Sequence, residues 1–473
     1  MDVYNSKLRL VEARPSQNVC VPFSYPVNRM ANPADTPVSR QVLSWLLFWP
    51  ILTLIARQAV YFAGPARIAE AYQNGAAVTG ARGSHYYLYV NLLFLLGFVL
   101  AGYLQVWSKL RSNPLILAML TLAALSAFWS ATPTVTLQMC IPVGLCTLFA
   151  CYLSARYTTE RLMQLLVFMG VAAALLTILF VLALPAYGLF QGYAGGAWQG
   201  ICNHKNTLGI SMAFLLSPVF FTDVYSRERK LIYSALLLFL IYKSQSRGAW
   251  FDTAGMLLFV ACLNLIRRAR ARELTLMLLV MTTLGAGTVA LGVHFWPLLS
   301  AQMGKSASMS GRTGIYVEVW RSITKRPILG YGFGGFWSAE SPESHRIGLA
   351  IGWPNIGYAE NGFLELALQV GFVGVGFIIA MIAKAVFQGI RLLRSPHYSH
   401  RVGWFLTILL LAALTNIDAG WLMTSDTLDW VLILVACIGM NDEIRRTYPL
   451  HLNKHVASWP TITATSRGEI GAL

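Results

Sequence analysis

Charge is what this chain has least of. Only 12% of its 473 residues are charged, with 20 Asp and Glu against 36 Lys and Arg. Soluble domains carry about a quarter charged residues, so the composition disfavours a water-soluble fold. The formal charge of +16 and pI near 9.7 would suit nucleic acid. Tracking phosphates, however, takes clustered Lys and Arg on a wet face, and that supply is missing, so no nucleic-acid partner is expected. Cysteine is sparse too: seven residues without a Cys-x-x-Cys pair exclude a zinc ribbon and give no disulfide framework. No apolar stretch opens the chain as a signal peptide would require. Residues 1–41, punctuated by Pro15, Pro22, Pro26, Pro33 and Pro37, read instead as a disordered tail. No Asp-x-Asp pair is present to hold a metal ion, and no cofactor is expected. No internal repeat is evident.

What the chain does have is apolar length. Spans near 43–63, 85–106, 114–129, 134–153, 162–184, 207–224, 231–243, 249–266, 273–296, 363–383, 404–420 and 428–440 approach the roughly 20 residues that cross a bilayer core. The expected fold is an all-α polytopic membrane protein with about twelve transmembrane helices. Its parts are a cytoplasmic tail (1–41), helices one to nine (42–296), a large periplasmic loop (297–362), helices ten to twelve (363–440) and a second cytoplasmic tail (441–473). With both termini inside, the tails and cytoplasmic loops hold 24 Lys and Arg against 11 outside, the bias expected of cytoplasmic segments. The loop over 297–362 is too long for a simple connection and is expected to be functional. Within it, Ile315, Val319 and Ile323 recur at helical spacing and predict a helix over about 314–324.

Four polar clusters fall on the outside boundary: Gly200–Asn206, Ser244–Gly248, Gly311–Gly314 and Ala359–Gly362. Cations at headgroup depth suit a diphosphate, with Arg offering a planar fork and Lys a point charge. Lys205 stands where the sixth span begins, and free N–H groups at a helix start already favour anions. Glu360 precedes the tenth span, where the positive helix end favours a carboxylate. Asn361, Glu365 and Gln369 share one helix face, lining a site or binding helices together.

Taken in order, the patterns GxxxHKNxLG, SxSRGA, GRTxxYxxxW…PxxGYGFGxFW and ENGFLELxLxxGxxG resemble the O-antigen ligase and Wzy-type polysaccharide polymerase superfamily. The resemblance covers about residues 200–375, and the His-Lys-Asn and Gly-Tyr-Gly-Phe-Gly blocks are most similar to exopolysaccharide polymerases of the Wzy type. It implies a GT-C-like glycosyltransferase of the bacterial inner membrane. Such an enzyme moves a glycan from an undecaprenyl-diphosphate carrier to a hydroxyl on the periplasmic side, without metal. The implied partners are lipid-linked donor and acceptor, membrane lipid, chain-length regulators and export proteins. By motif, Arg247 and Arg312 take the places of the family's diphosphate-binding arginines. Ligases of the family carry a His before the Asn of the last motif as proposed base. This chain departs from that pattern with Glu360.

Each residue also has a plainer reading. Arg247 could snorkel at the boundary, Arg312 could pair with Glu318, and Glu360 could serve as Arg312's structural partner. His204 reads better as a satisfied interfacial side chain than as a base. Lys205 is expected to hold diphosphate with Arg247 and Arg312, and His204, Asn206, Ser246 and Asn361 are expected beside the substrate. Arg321 reads mainly as helix solvation and Trp337 mainly as an interfacial belt, with substrate contact as the other option for each. The glycines at 330, 332, 334 and 335 lack a flanking strand and helix, so a tight turn fits better than a dinucleotide loop. A polymerase is the first reading and an O-antigen ligase the second. A transporter or flippase is the third, kept open by Asp252 and Asp418 but opposed by polar clusters gathered at one face.

Overall fold

A computed structural model describes residues 46–56, 82–191, 196–268, 312–338, 341–353, 356–396, 399–420, 422–424 and 427–448. The expected ninth span, both tails as far as residues 45 and 449, and loop residues 297–311 lie outside the described residues. Among the described residues there is no strand, only an isolated bridge between Leu189 and Trp198. Four helices are long and apolar enough to cross a membrane: Pro133–Arg156, Thr159–Ala183, Gly362–Leu393 and His400–Ile417. These fit a helical membrane protein.

The span expected at 85–106 is not one straight rod. It is two helices, Arg82–Ala101 and Tyr103–Ser112, set at 86° where the second leaves Gly102. A side chain at Gly102 would press on the Tyr152 ring, which lies 2.7 Å from a built Cβ. The backbone therefore turns against Tyr152 as a larger residue could not.

The centre of the fold is a helix we label α1, Lys205–Phe221. It is apolar on every side and buried on nearly every residue, as a helix without a polar face must be. Packed against it are α2 (Arg227–Lys243), α3 (Arg247–Arg268) and α4 (His400–Asp418). Buried tryptophans keep their one donor satisfied: Trp404 Nε1 donates to Ser217 Oγ at 3.1 Å, and Trp430 Nε1 to Thr147 Oγ1 at 3.1 Å.

The helix expected over 314–324 is present as Arg312–Lys325, with Ile315, Val319 and Ile323 buried. A second short helix, Pro342–Ile351, packs beside it. Their apolar faces close with Phe336, Ile347 and Ala359 over the start of the long helix Gly362–Leu393. The described part of the large loop thus has a small core seated on a membrane helix.

That long helix breaks at Val370–Gly371, with Gly371 at φ +66°. A break exposes backbone groups that water cannot satisfy in an apolar surround. The Gly-rich loop supplies the partners. Tyr331 N donates to Leu368 O at 2.8 Å and Gly332 N to Gln369 O at 2.9 Å, while Phe372 N donates to Pro327 O at 2.8 Å. Gly330, Gly332 and Gly334 all have positive φ, so the segment is a run of tight turns.

Candidate functional site

The first two motifs meet around Lys205. His204 is the N-cap of α1, its Nδ1 accepting from Asn206 N at 3.1 Å, as a capping side chain does. His204 is thus satisfied on Nδ1 by the backbone of its own helix. Lys205 is buried, and its Nζ donates to Gln245 O at 3.1 Å while lying 6.0 Å from the Phe190 ring centre. Gln245 offers that carbonyl from a left-handed backbone, φ +50°, between α2 and α3. Ser244 and Ser246 shape the same turn. Ser244 Oγ accepts from Ser246 N at 3.2 Å, and buried Ser246 accepts from Ala249 N at 3.4 Å. Gly209 lets α1 approach, since a Cβ there would lie 2.7 Å from Ala249 Cβ and 2.8 Å from Ser244 Oγ. Arg247, the first residue of α3, is exposed and has no ion-pair partner among the described residues.

The last two motifs meet in an ion pair. Arg312 Nη2 lies 2.9 Å from Glu360 Oε2, both side chains partly buried. Tyr316, one turn along the loop helix, donates its hydroxyl to Glu360 O at 3.1 Å. Glu360 has φ +55°, a region non-glycine residues seldom adopt, and tends to mark a constrained functional position. Asn361 caps the long helix, accepting from Phe363 N and Leu364 N at 3.0 Å. Of the two partners open to Arg312, the structure shows Glu360 in place. Glu318 pairs instead with Arg321 and Arg346.

The end of α4 joins the two halves. Thr415 Oγ1 donates to Asp252 Oδ2 at 2.9 Å, tying α4 to α3 one turn beyond Arg247. Asn361 Nδ2 donates to Ile417 O at 2.8 Å, and a Cβ on Gly362 would run into Asn416. Three consecutive residues therefore hold the Arg247 helix on one side and the Glu360 turn on the other. All four motifs gather at one end of the helix bundle.

Arg321 and Trp337 both make contacts within the protein. Arg321 stands nine residues beyond Arg312, roughly 13 Å along the helix axis. Its side chain is 65% exposed and bridges Glu318, so it solvates the helix. Trp337 turns its Nε1 to both Glu365 oxygens at 2.9 Å, fixing the Gly-rich loop to the long helix. The Asn361, Glu365 and Gln369 stripe likewise holds segments together, with Gln369 Oε1 accepting from Gly334 N at 3.3 Å. Sequence reasoning missed Gln245, whose carbonyl rather than side chain does the work, and the α4 end at 415–417. An Asn beside a Thr in an apolar run was the one available signal for the latter. Among the described residues, no three His, Cys, Asp or Glu side chains gather where they could hold a metal ion.

Comparison with known proteins matches an O-antigen ligase family model to residues 232–379, which include the Ser-Gln-Ser-Arg turn, Arg312, the Gly-rich loop and Glu360. The chain is also similar to the exopolysaccharide production protein ExoQ of Rhizobium meliloti (strain 1021). The two are 22% identical over 315 residues, covering 63% of this chain and 70% of that protein.

Proposed function

We propose that this multi-pass membrane protein, similar over residues 232–379 to an O-antigen ligase family model and also to an exopolysaccharide production protein, has the activity of a polysaccharide polymerase. It transfers a glycan from an undecaprenyl-diphosphate carrier to a hydroxyl of a second lipid-linked repeat unit. The observation that carries this reading is the Arg312–Glu360 pair at 2.9 Å, at the bundle end that also holds Arg247. Similarity to a protein named for exopolysaccharide production supports it. In this proposal the chain forms twelve spans in a GT-C-like arrangement in the inner membrane, with cytoplasmic termini and the site on the periplasmic side. The domain limits given above belong to the same proposal.

The chemistry follows from the charges. A lipid diphosphate leaves readily once its developing charge is met by preorganised cations. Arg247 and Arg312 would bind its oxygens as planar forks, while Lys205 holds the turn that presents Arg247. The acceptor hydroxyl attacks the anomeric carbon as the bond to diphosphate oxygen breaks, and its proton passes to the Glu360 carboxylate. Undecaprenyl diphosphate is released and the anomeric centre inverts. The ligase description of the matched family model favours a second reading, transfer to a lipid-A core sugar. One experiment separates them. Purified protein in nanodiscs receives undecaprenyl-diphosphate repeat units, with and without lipid-A core, and without nucleotide sugar. Longer glycans from repeat units alone support the polymerase, product only with core supports the ligase, and dependence on nucleotide sugar removes both.

A further inference from the structure

Five residues beyond Glu360, a second carboxylate sits buried in the first turn of the long helix. Glu365 is 8% exposed, and N–H donors from three segments converge on it. Trp337 Nε1 of the Gly-rich loop reaches both oxygens at 2.9 Å. Gln369 Nε2, one turn along the helix, donates to Oε1 at 2.6 Å. Ala359 N donates to Oε2 at 2.8 Å. Ala359 immediately precedes Glu360, whose backbone is at φ +55° and whose carboxylate meets Arg312.

We infer that Glu365 is a positioning residue: it fixes the strained Ala359–Glu360 turn, and so sets where the Glu360 carboxylate stands. The physical case has two parts. A residue held in left-handed backbone is strained and persists only where its surroundings over-determine it. Here two contacts do so on opposite sides of the peptide, the Glu365 carboxylate on Ala359 N and the Tyr316 hydroxyl on Glu360 O. The second part is the donor count. Only an acceptor on both oxygens can serve these N–H groups together. A glutamine presents one oxygen and one NH₂, which turns a donor toward a donor and releases either Ala359 N or Gln369. Trp337 acts through the same carboxylate, which ties the Gly-rich loop to the Glu360 turn.

The inference rests on the proposed role of Glu360, and its test has one arm that does not. Hydrogen exchange of the peptide over 356–364 should speed up in Glu365→Gln while helix Thr159–Ala183 exchanges as in the wild type. In polymerisation assays Glu365→Gln should lower kcat about 10²-fold, the scale for a misplaced reacting group, with donor KM changed less than about threefold. In a Glu360→Gln background the same substitution should remove no further residual rate, because it acts through Glu360. Trp337→Phe, which keeps the ring and removes one donor, should give a smaller loss of the same pattern and carries the test where Glu365→Gln does not fold. Wild-type exchange over 356–364 overturns the inference, as do losses that multiply with Glu360→Gln. A wild-type protein that makes no polymer sinks the proposed function instead, and the exchange arm then decides the positioning claim alone.

Discussion

Arg312 and Glu360 lie 48 residues apart in sequence and meet at 2.9 Å, the arginine from the first turn of a loop helix and the glutamate from a strained turn before a membrane helix. The pair puts a cation and a carboxylate within one side chain's reach. That is what a diphosphate leaving group and a hydroxyl nucleophile would need of a single site. In the proposed activity the two residues have separable duties.

Substituting each tests that division. Glu360→Gln should lower turnover by about 10²–10⁴-fold, the range for losing a general base, while donor affinity stays near wild type. Arg312→Ala should weaken donor binding by about tenfold or more, as expected for a lost charge-assisted hydrogen bond. Donor binding measured on nanodisc protein and single-turnover rates read both. Unchanged binding in Arg312→Ala and Arg247→Ala together would remove the diphosphate assignment.

Close packing at Gly209 makes a second prediction. Gly209→Ala drives a methyl group to within 2.7 Å of Ala249 Cβ, against the turn that Lys205 also holds. Overpacking of this kind costs about 1–3 kcal/mol, and α1 should shift off the Ser244–Arg247 turn. Thermal unfolding should fall and donor binding weaken with it. A variant with wild-type melting would show that the two segments can part without loss.

The broken helix gives a third. Gly371→Ala places a side chain at φ +66° and only 2.1 Å from Ile328 O, a backbone atom that cannot swing aside. The left-handed backbone alone costs about 1–2 kcal/mol, and the clash adds to it. The Gly-rich loop should lift from the helix and become open to protease between residues 325 and 338. Protection equal to wild type would mean that the loop is held from elsewhere.

Acid should loosen the loop helices. Burial works to raise the Glu343 carboxyl, but hydrogen bonds from Lys325 and Arg346 outweigh it and hold it below its ordinary value of 4.5. A lowered folded-state value means that the unfolded chain takes up the proton first. The stabilisation is therefore complete above the ordinary value and is lost as pH falls through the lowered one. Proteolysis of the loop should rise in that acid range, and Glu343→Gln should flatten the dependence. The groups are partly exposed, so salt should shrink the effect.

Much of the site was legible because its motifs are local. Ile315, Val319 and Ile323 announce a buried helix face by spacing alone, and the four polar clusters mark where apolar runs stop. The run of glycines at 330–334 announces turns for a similar reason, since positive φ is a property of the single residue. Lys205 and Trp337 show the opposite case. Each has the right chemistry for substrate, yet each spends a donor on the protein, on Gln245 O and on Glu365. No local pattern distinguishes those uses.

Composition is enough to mark this chain as helical and suited to a membrane, because low charge and apolar length need no knowledge of contacts, and the motifs name the candidates for the proposed diphosphate site. That Arg312 takes Glu360 rather than Glu318 emerges from the folded chain alone. The same is true of the break at Val370–Gly371 stitched by residues 327–332, and of Thr415–Ile417 joining the two halves. The physical reason is common to all three. They are contacts between groups tens to hundreds of residues apart, several made by backbone carbonyls that every residue carries, so nothing in residue type or spacing records them. Packing chooses among the partners that sequence allows.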